Sequence, residues 1–290
     1  MTKTRLSYVY AGLAVLFWST IPTIFKIGLC ELDVITMLAI ATITSTVVMF
    51  IIVVSGGKLE LVIKATRKEF LGSALLGLIN PFIYYIILLK AYKLLPAQVA
   101  QPLNMIWPII LVFLSVPILK QKIPAKSFIA LFISFIGVYI ISSQGHPLHP
   151  GKSDITGVIL ATGSSVFWAL YFIFNMKDKR DESVKLFTNL LFASVYLLIT
   201  ILIFRNSNSA ITIKGLGASV YVGIFEMGIT FFFWLKALQL STTSDKVSNL
   251  VYIAPFLSLV FVHFIIKEPV YYTTPAGLLL IISGIFIQNR

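Results

Sequence analysis

Apolar residues run along this chain for about twenty positions at a time, separated by short polar stretches. The runs lie near 8–28, 35–54, 70–92, 96–118 and 124–142, and again near 154–175, 185–204, 215–239, 247–266 and 274–289. A helix needs about 20 residues to cross the hydrocarbon core of a bilayer. Runs that are apolar throughout, rather than at alternate positions, predict helices and not barrel strands. The pattern therefore predicts an all-α integral membrane protein of ten transmembrane helices. Pro22, Pro81, Pro102, Pro108 and Pro255 fall within spans and are the predicted bending points. Lys3 and Arg5 precede the first run as they would in a signal peptide. That run carries Pro22 and has no small-residue cleavage site, so it reads as a retained first helix.

Composition agrees with a lipid setting. Of the 290 residues, 58% are hydrophobic and 12% charged, where a soluble domain carries about 25% charge. The mean hydropathy is +0.95, and a water-soluble chain would have to expose large apolar patches to accommodate it. No polar stretch is long enough to form an aqueous domain. The net charge of +12 could point to nucleic acid on a soluble protein. Here the basic residues sit in short loops and act as a topology signal. With the N-terminus inside, fifteen Lys and Arg fall in inside segments, five in outside loops and three within spans, which accounts for all 23. Both termini are expected in the cytoplasm of a cell (inner) membrane protein. The single cysteine, Cys30, carries no metal or redox pattern.

The two halves resemble each other. Phe17-Trp18 matches Phe167-Trp168 at an offset of 150, and Leu89-Lys90-Ala91 matches Leu235-Lys236-Ala237 at 146. Gly77 matches Gly223 at 146, while Pro108 matches Pro255 and Gly137 matches Gly284 at 147. The expected repeats are 1–145 and 150–290. Five spans in each half place the second copy upside down in the membrane. Such inverted repeats are common among secondary transporters, where the substrate site lies near the midplane between them.

At these residues the chain resembles the drug/metabolite transporter superfamily, in its ten-helix form with two EamA-type repeats. The resemblance rests on Phe17-Trp18-Ser19-Thr20, Phe167-Trp168-Ala169-Leu170-Tyr171, Leu89-Lys90-Ala91-Tyr92, Trp234-Leu235-Lys236-Ala237-Leu238, and Ala254-Pro255-Phe256-Leu257-Ser258. It covers essentially the whole chain and implies a transporter of small metabolites. Family members usually place a short Gly-Glu-type turn after the fourth helix of each repeat. The second half keeps the acid in Lys267-Glu268-Pro269, whereas the first has Lys120-Gln121-Lys122. That Gln-Lys, with Asn104-Met105-Ile106-Trp107-Pro108 upstream, is similar to the aromatic amino-acid exporter branch and implies an amino-acid-like substrate leaving the cell.

Glu226 is the one acidic residue within a span. A charge at the bilayer centre costs about 2.5–3.5 kcal/mol on insertion scales, so it should face a cavity or a partner. Placed mid-helix in the eighth span, it reads as a ligand for a substrate ammonium or as a proton carrier, and otherwise as a protonated structural acid. Its counterpart in the first half is Asn80, followed by Pro81. Lys90 and Lys236 are matched as well. They read as lysines snorkelling to the headgroups, or else as a gate or a contact for a substrate carboxylate, and with Glu226 they are the candidates for coupling or gating. Trp18, Trp107 and Trp168, with Tyr84 and Tyr171, are candidates for stacking on a planar substrate, against core packing as the alternative. Gln101, Asn104 and Asn249, with Gln98, either bond helix to helix or face a wet cavity. Trp18, Asn80, Asn104, Trp168 and Glu226 are expected to line one central cavity. His263 reads as a packed residue, and His146 and His149 in an outside loop do not make a metal site.

The sequence contains no HExxH, no G-x-S-x-G and no P-loop. An enzyme is not expected, nor is any cofactor or metal. Transport would be passive or ion-driven, with a proton as one candidate. The expected function is secondary transport, in the export direction, of a small organic metabolite such as an amino acid, by alternating access through a central cavity. A membrane assembly subunit that transports nothing is the alternative. The expected partners are a small-molecule substrate and the lipid bilayer, without nucleic acid, and both a monomer and a homodimer remain open.

Overall fold

The computed structural model describes residues 3–120, 125–146, 153–204, 211–240 and 249–289. Among these residues the regular structure is helical throughout. The first half comprises α1 (Lys3–Glu31), α2 (Val34–Ser55), the short α3 (Leu59–Ile63), α4 (Arg67–Gly77), α5 (Tyr84–Leu94), α6 (Ala97–Asn104), α7 (Trp107–Leu119) and α8 (Ala125–Ser142). The second comprises α9 (Ile155–Lys177), α10 (Glu182–Phe204), α11 (Ile213–Phe225), α12 (Ile229–Leu240), α13 (Ala254–Ile266) and α14 (Thr273–Asn289). Seven stretches of helix are long and apolar enough to cross a membrane, and three shorter ones, Phe128–Ser142, Leu250–Ile266 and Thr273–Ile287, are comparably apolar. Together they stand where the sequence pattern places ten spans.

Helix starts follow local chemistry. Asp33 caps α2, its carboxylate accepting from the backbone N–H groups of Ile35 and Thr36 at 2.9 and 3.0 Å. Thr66 and Glu69 form a reciprocal capping box at α4. Asp154 and Thr212 cap α9 and α11 in the same way, through Gly157 and Gly215. Each side chain satisfies an N–H that the first helical turn leaves without a partner.

Among the described residues four spans depart from a regular α-helix, and each departure frees backbone groups that an unbroken helix would pair. The third breaks in a π-type turn, Leu78–Ile83, where Asn80 is extended at φ −147 and ψ 123. The fourth breaks at Met105 and Ile106, before Trp107-Pro108 restarts it. The ninth opens as a 3-10 turn, Asn249–Ile253, before Ala254-Pro255. Pro81, Pro108 and Pro255 therefore mark breaks as expected, and Pro102 lies three residues before one. Pro22 does not: α1 continues through it.

The eighth span is the informative departure, because it breaks with no proline. Glu226 is not in mid-helix; it follows the last turn of α11, its N–H donating to the Val222 carbonyl at 2.8 Å. Gly228 explains the break. A Cβ there would lie 2.9 Å from the carbonyl oxygens of both Gly223 and Ile224, so the chain folds tightly over the end of α11. The Thr230 hydroxyl then donates to the Phe225 carbonyl that the break frees. Gly77 and Gly223 hold matched positions, so the breaks after them occur at corresponding points of the two halves.

The helices assemble into two compact units, Met1–Phe82 with Arg180–Ile266 and Ile83–Lys179 with Lys267–Arg290, so each half of the sequence contributes to both. In the first unit α1 packs on α11, α12 and α13, and α2 packs on α10 and α11, with α4 also on α10. In the second, α9 packs on α5, α6 and α7, and α8 on α14. Backbones approach closely at small residues, as helix pairs in lipid require. A Cβ at Gly77 would strike the Asn189 carbonyl of α10, and one at Gly223 the Ala41 carbonyl of α2. Between α8 and α14, a Cβ at Gly137 would lie 2.6 Å from the Gly277 carbonyl, and one at Gly284 2.8 Å from the Ala130 carbonyl. The fourth and ninth spans end at Lys120 and Lys267, both left-handed at φ 56 and 57.

Candidate functional site

In the second unit, five of the residues singled out from sequence form one cluster. Tyr84 starts α5 directly after the break in the third span. Its hydroxyl donates to Asn104 Oδ1 at 3.2 Å, and Asn104 Nδ2 donates to Ser164 Oγ at 2.8 Å. Asn104 is the last residue of α6, so its carbonyl lacks a helical partner; Ser165 Oγ supplies one at 2.8 Å. Around this polar knot, Trp168 lies 5.0 Å from Tyr84, 6.1 Å from Tyr171 and 6.3 Å from Trp107, centroid to centroid. Trp107 also packs on Phe172 at 5.7 Å. Gln101 is half-buried one turn before Asn104 on α6. Ser164 and Ser165 were not singled out from sequence, where two small hydroxyl residues in an apolar run are ambiguous.

The first unit holds a counterpart. Trp18 on α1 lies 5.8 Å from Phe231 and 5.4 Å from Trp234, both on α12. Phe17 stacks beside it on Phe225 at 4.5 Å, and Thr20 shares a hydrogen bond with the Tyr221 hydroxyl at 2.9 Å. Trp18 and Trp168 are matched positions. Trp18 packs against Phe231, just past the break of the eighth span, and Trp168 against Tyr84, just past the break of the third. Glu226 sits at the break of the eighth span, half-buried, and Asn80, 6% exposed, at the break of the third. The structure thus distributes the five residues expected in one cavity over two units: Trp18, Asn80 and Glu226 in the first, Asn104 and Trp168 in the second.

The matched lysines differ. Lys90 is exposed on α5, whereas Lys236 on α12 is half-buried with its ammonium 5.6 Å above the Phe232 ring. Lys236 lines a cavity of about 520 Å³ in the first unit, between the end of α2, the start of α10 and the middle of α12. On its wall Lys58 Nζ pairs with the Asp181 carboxylate at 2.8 Å, 123 positions away in sequence. Burial raises the Asp181 pKa, but hydrogen bonds from Lys58 and Ser183 and the Lys58 charge outweigh it and hold the carboxyl below its ordinary 3.8. This cavity was not anticipated from sequence, where Lys58 counted only as a loop charge.

Gln98 and Glu268 hold structure together. The Glu268 carboxylate accepts from the Ala97 N–H at 2.9 Å, at the start of α6. The Gln98 amide donates to the Pro269 carbonyl and accepts from Tyr271 N and the Thr274 hydroxyl. The acid of the second half's Lys267-Glu268-Pro269 turn is therefore an anchor for the fourth span. Gln121, Lys122 and His149 lie outside the described residues, as does the side chain of Asn249. Among the described residues no group of His, Cys, Asp or Glu could hold a metal ion.

Spans that break at polar residues within an all-helical membrane bundle are a feature of many secondary transporters. The sequence profile of the EamA-like transporter family matches residues 5–143 and again 155–290. The chain belongs to this family, within the drug/metabolite transporter superfamily, and is a membrane transporter rather than an enzyme. It is 28% identical over 296 residues to YvbV of Bacillus subtilis (strain 168), described as an uncharacterized transporter, covering 100% of this chain and 93% of that one. An uncharacterized transporter of Archaeoglobus fulgidus is 23% identical over 284 residues, covering 98% of both. The fold resembles a solved crystal structure with a TM-score of 0.68 at 17% identity, covering 97% of this chain and 95% of that one.

Proposed function

We propose that the protein is a secondary transporter exporting an amino acid or a related small metabolite by alternating access. The central cavity would lie between two inverted five-helix repeats, residues 1–145 and 150–290, with both termini cytoplasmic in the cell (inner) membrane. The observation that carries this reading is the pair of breaks at matched positions of the third and eighth spans, with Asn80 at one and Glu226 at the other. Broken spans supply backbone groups and polar side chains at membrane depth, where a solute can exchange its hydration for them. Glu226 is suited to a substrate ammonium or to a coupling proton. Trp18, Trp107, Trp168, Tyr84 and Tyr171 are suited to stacking on its carbon skeleton, and Gln101, Asn104 and Asn249 to hydrogen bonding. The basic excess on the inside segments supports the orientation. The similarity of Asn104-Met105-Ile106-Trp107-Pro108 and Gln121-Lys122 to the aromatic amino-acid exporter branch supports the substrate class and the direction.

A thermal-shift panel of amino acids, nucleosides and lipid precursors on the purified protein tests the substrate class. A solute present at about 100 Kd stabilises the state it binds by roughly 2.7 kcal/mol. We expect amino acids to raise the melting temperature by several degrees, with aromatic and large aliphatic ones foremost. Stabilisation by nucleosides or lipid precursors alone would overturn the reading.

A further inference from the structure

We propose that the cavity between the end of α2, the start of α10 and the middle of α12 is a second binding site, for the carboxylate end of a small organic acid, with Lys236 as the group that holds it. The proposal deepens the export reading and rests on it for the identity of the solute.

The volume, about 520 Å³, is within the range of small-molecule sites. One wall is apolar, formed by Met49, Ile52, Leu186 and Phe232. The charges on the rest can be followed individually. Lys58 is neutralised by Asp181 at 2.8 Å, and its ammonium also reaches Ser183 Oγ at 3.5 Å. Glu182 is neutralised by Lys185 at 2.6 Å, a lysine only 3% exposed. Lys236 is left over. Among the described residues its ammonium contacts the face of Phe232 and forms no ion pair.

An aromatic face satisfies a cation only partly, so the site carries one positive charge that a carboxylate would complete. The matched Lys90 shows what a merely snorkelling lysine does: it is exposed, while Lys236 turns into a cavity. One spare charge suits a monocarboxylate. Asp181 and Glu182 on the wall disfavour a polyanion and offer acceptors to an ammonium, so an α-amino acid matches both signs.

The full chain in nanodiscs, titrated with leucine and phenylalanine and with leucinamide and phenylalaninamide, tests this. The amides keep the ammonium and the side chain and lose the carboxylate. In the wild type we expect at least one acid to bind about tenfold more tightly than its amide. Lys236→Gln should erase that preference without changing the melting temperature of the unliganded protein, and Lys236→Arg should keep it. As a second readout that does not alter Lys236, the Ser55→Cys position on the cavity wall, in a Cys30→Ser background, should be protected from maleimide by the acid and not by the amide.

A preference that persists in Lys236→Gln, or labelling of the Ser55 position indifferent to the acid, overturns the site. Acid binding that is lost in Glu226→Gln but untouched in Lys236→Gln would leave the export reading standing and remove this one. If the deaminated acids 4-methylpentanoate and 3-phenylpropanoate bind through Lys236 while no amino acid does, the site stands and the amino-acid reading fails.

Discussion

Asp181 shows how a residue acquires a role that only folding can give it. In sequence it is one of several charges in a short loop. In the fold its carboxylate meets Lys58 across 123 positions and ties the end of α2 to the start of α10. Its pKa is held below 3.8, so the pair stabilises the folded protein when the carboxyl is ionised in both states, and this contribution disappears as pH falls through the lowered pKa. The melting temperature of the wild type should therefore exceed that of Asp181→Asn by a margin that is constant above about pH 5 and shrinks toward zero in acid. Thermal unfolding of both proteins across pH checks this, and a margin that widens in acid would contradict it. Both groups are about one-third exposed, so the margin should be small and should shrink further in high salt. Glu226 was legible in sequence as an unusual acid in an apolar run. Ser164 and Ser165 were not, because a hydroxyl in a span can bond back to its own helix as readily as to Asn104.

At the scale of elements, hydropathy located the spans but could not show where they break. Proline marks a break through its missing N–H and its ring, and three of the five prolines do so here. The break at Glu226 has no such mark. It depends on Gly228, whose missing side chain matters only once the carbonyls of Gly223 and Ile224 close over it. Two glycine substitutions separate this cause from general helix propensity. Gly217→Ala, on α11 with nothing within 4 Å of the added carbon, should be neutral or should stabilise by up to about 1 kcal/mol. Gly228→Ala adds a carbon 2.9 Å from two carbonyl oxygens and should lower the melting temperature and impair transport together. Equal stability of the two variants would mean that the tight turn is not what opens the eighth span.

For the whole molecule, the ten spans and the matched halves could be read from the chain because apolar runs and repeated residues are local signals. The two interleaved units could not, because hydropathy counts helices without naming their neighbours. The pairing of α8 with α14 through Gly137, Gly277 and Gly284 is set by close backbone approach, which composition does not reveal. The proposed orientation rests on the basic excess of the inside segments, so reporters fused before Leu6 and after Arg290 should both be cytoplasmic; an external C-terminus would contradict the ten-span topology. We propose that a solute crosses at a site built on the two matched breaks. Counterflow in proteoliposomes, with the best-stabilising amino acid inside and its labelled form outside, measures that crossing directly. We expect label accumulation by the wild type, and at least a tenfold lower rate for Glu226→Gln at matched protein level and unchanged melting temperature. Counterflow by Glu226→Gln at the wild-type rate would contradict it.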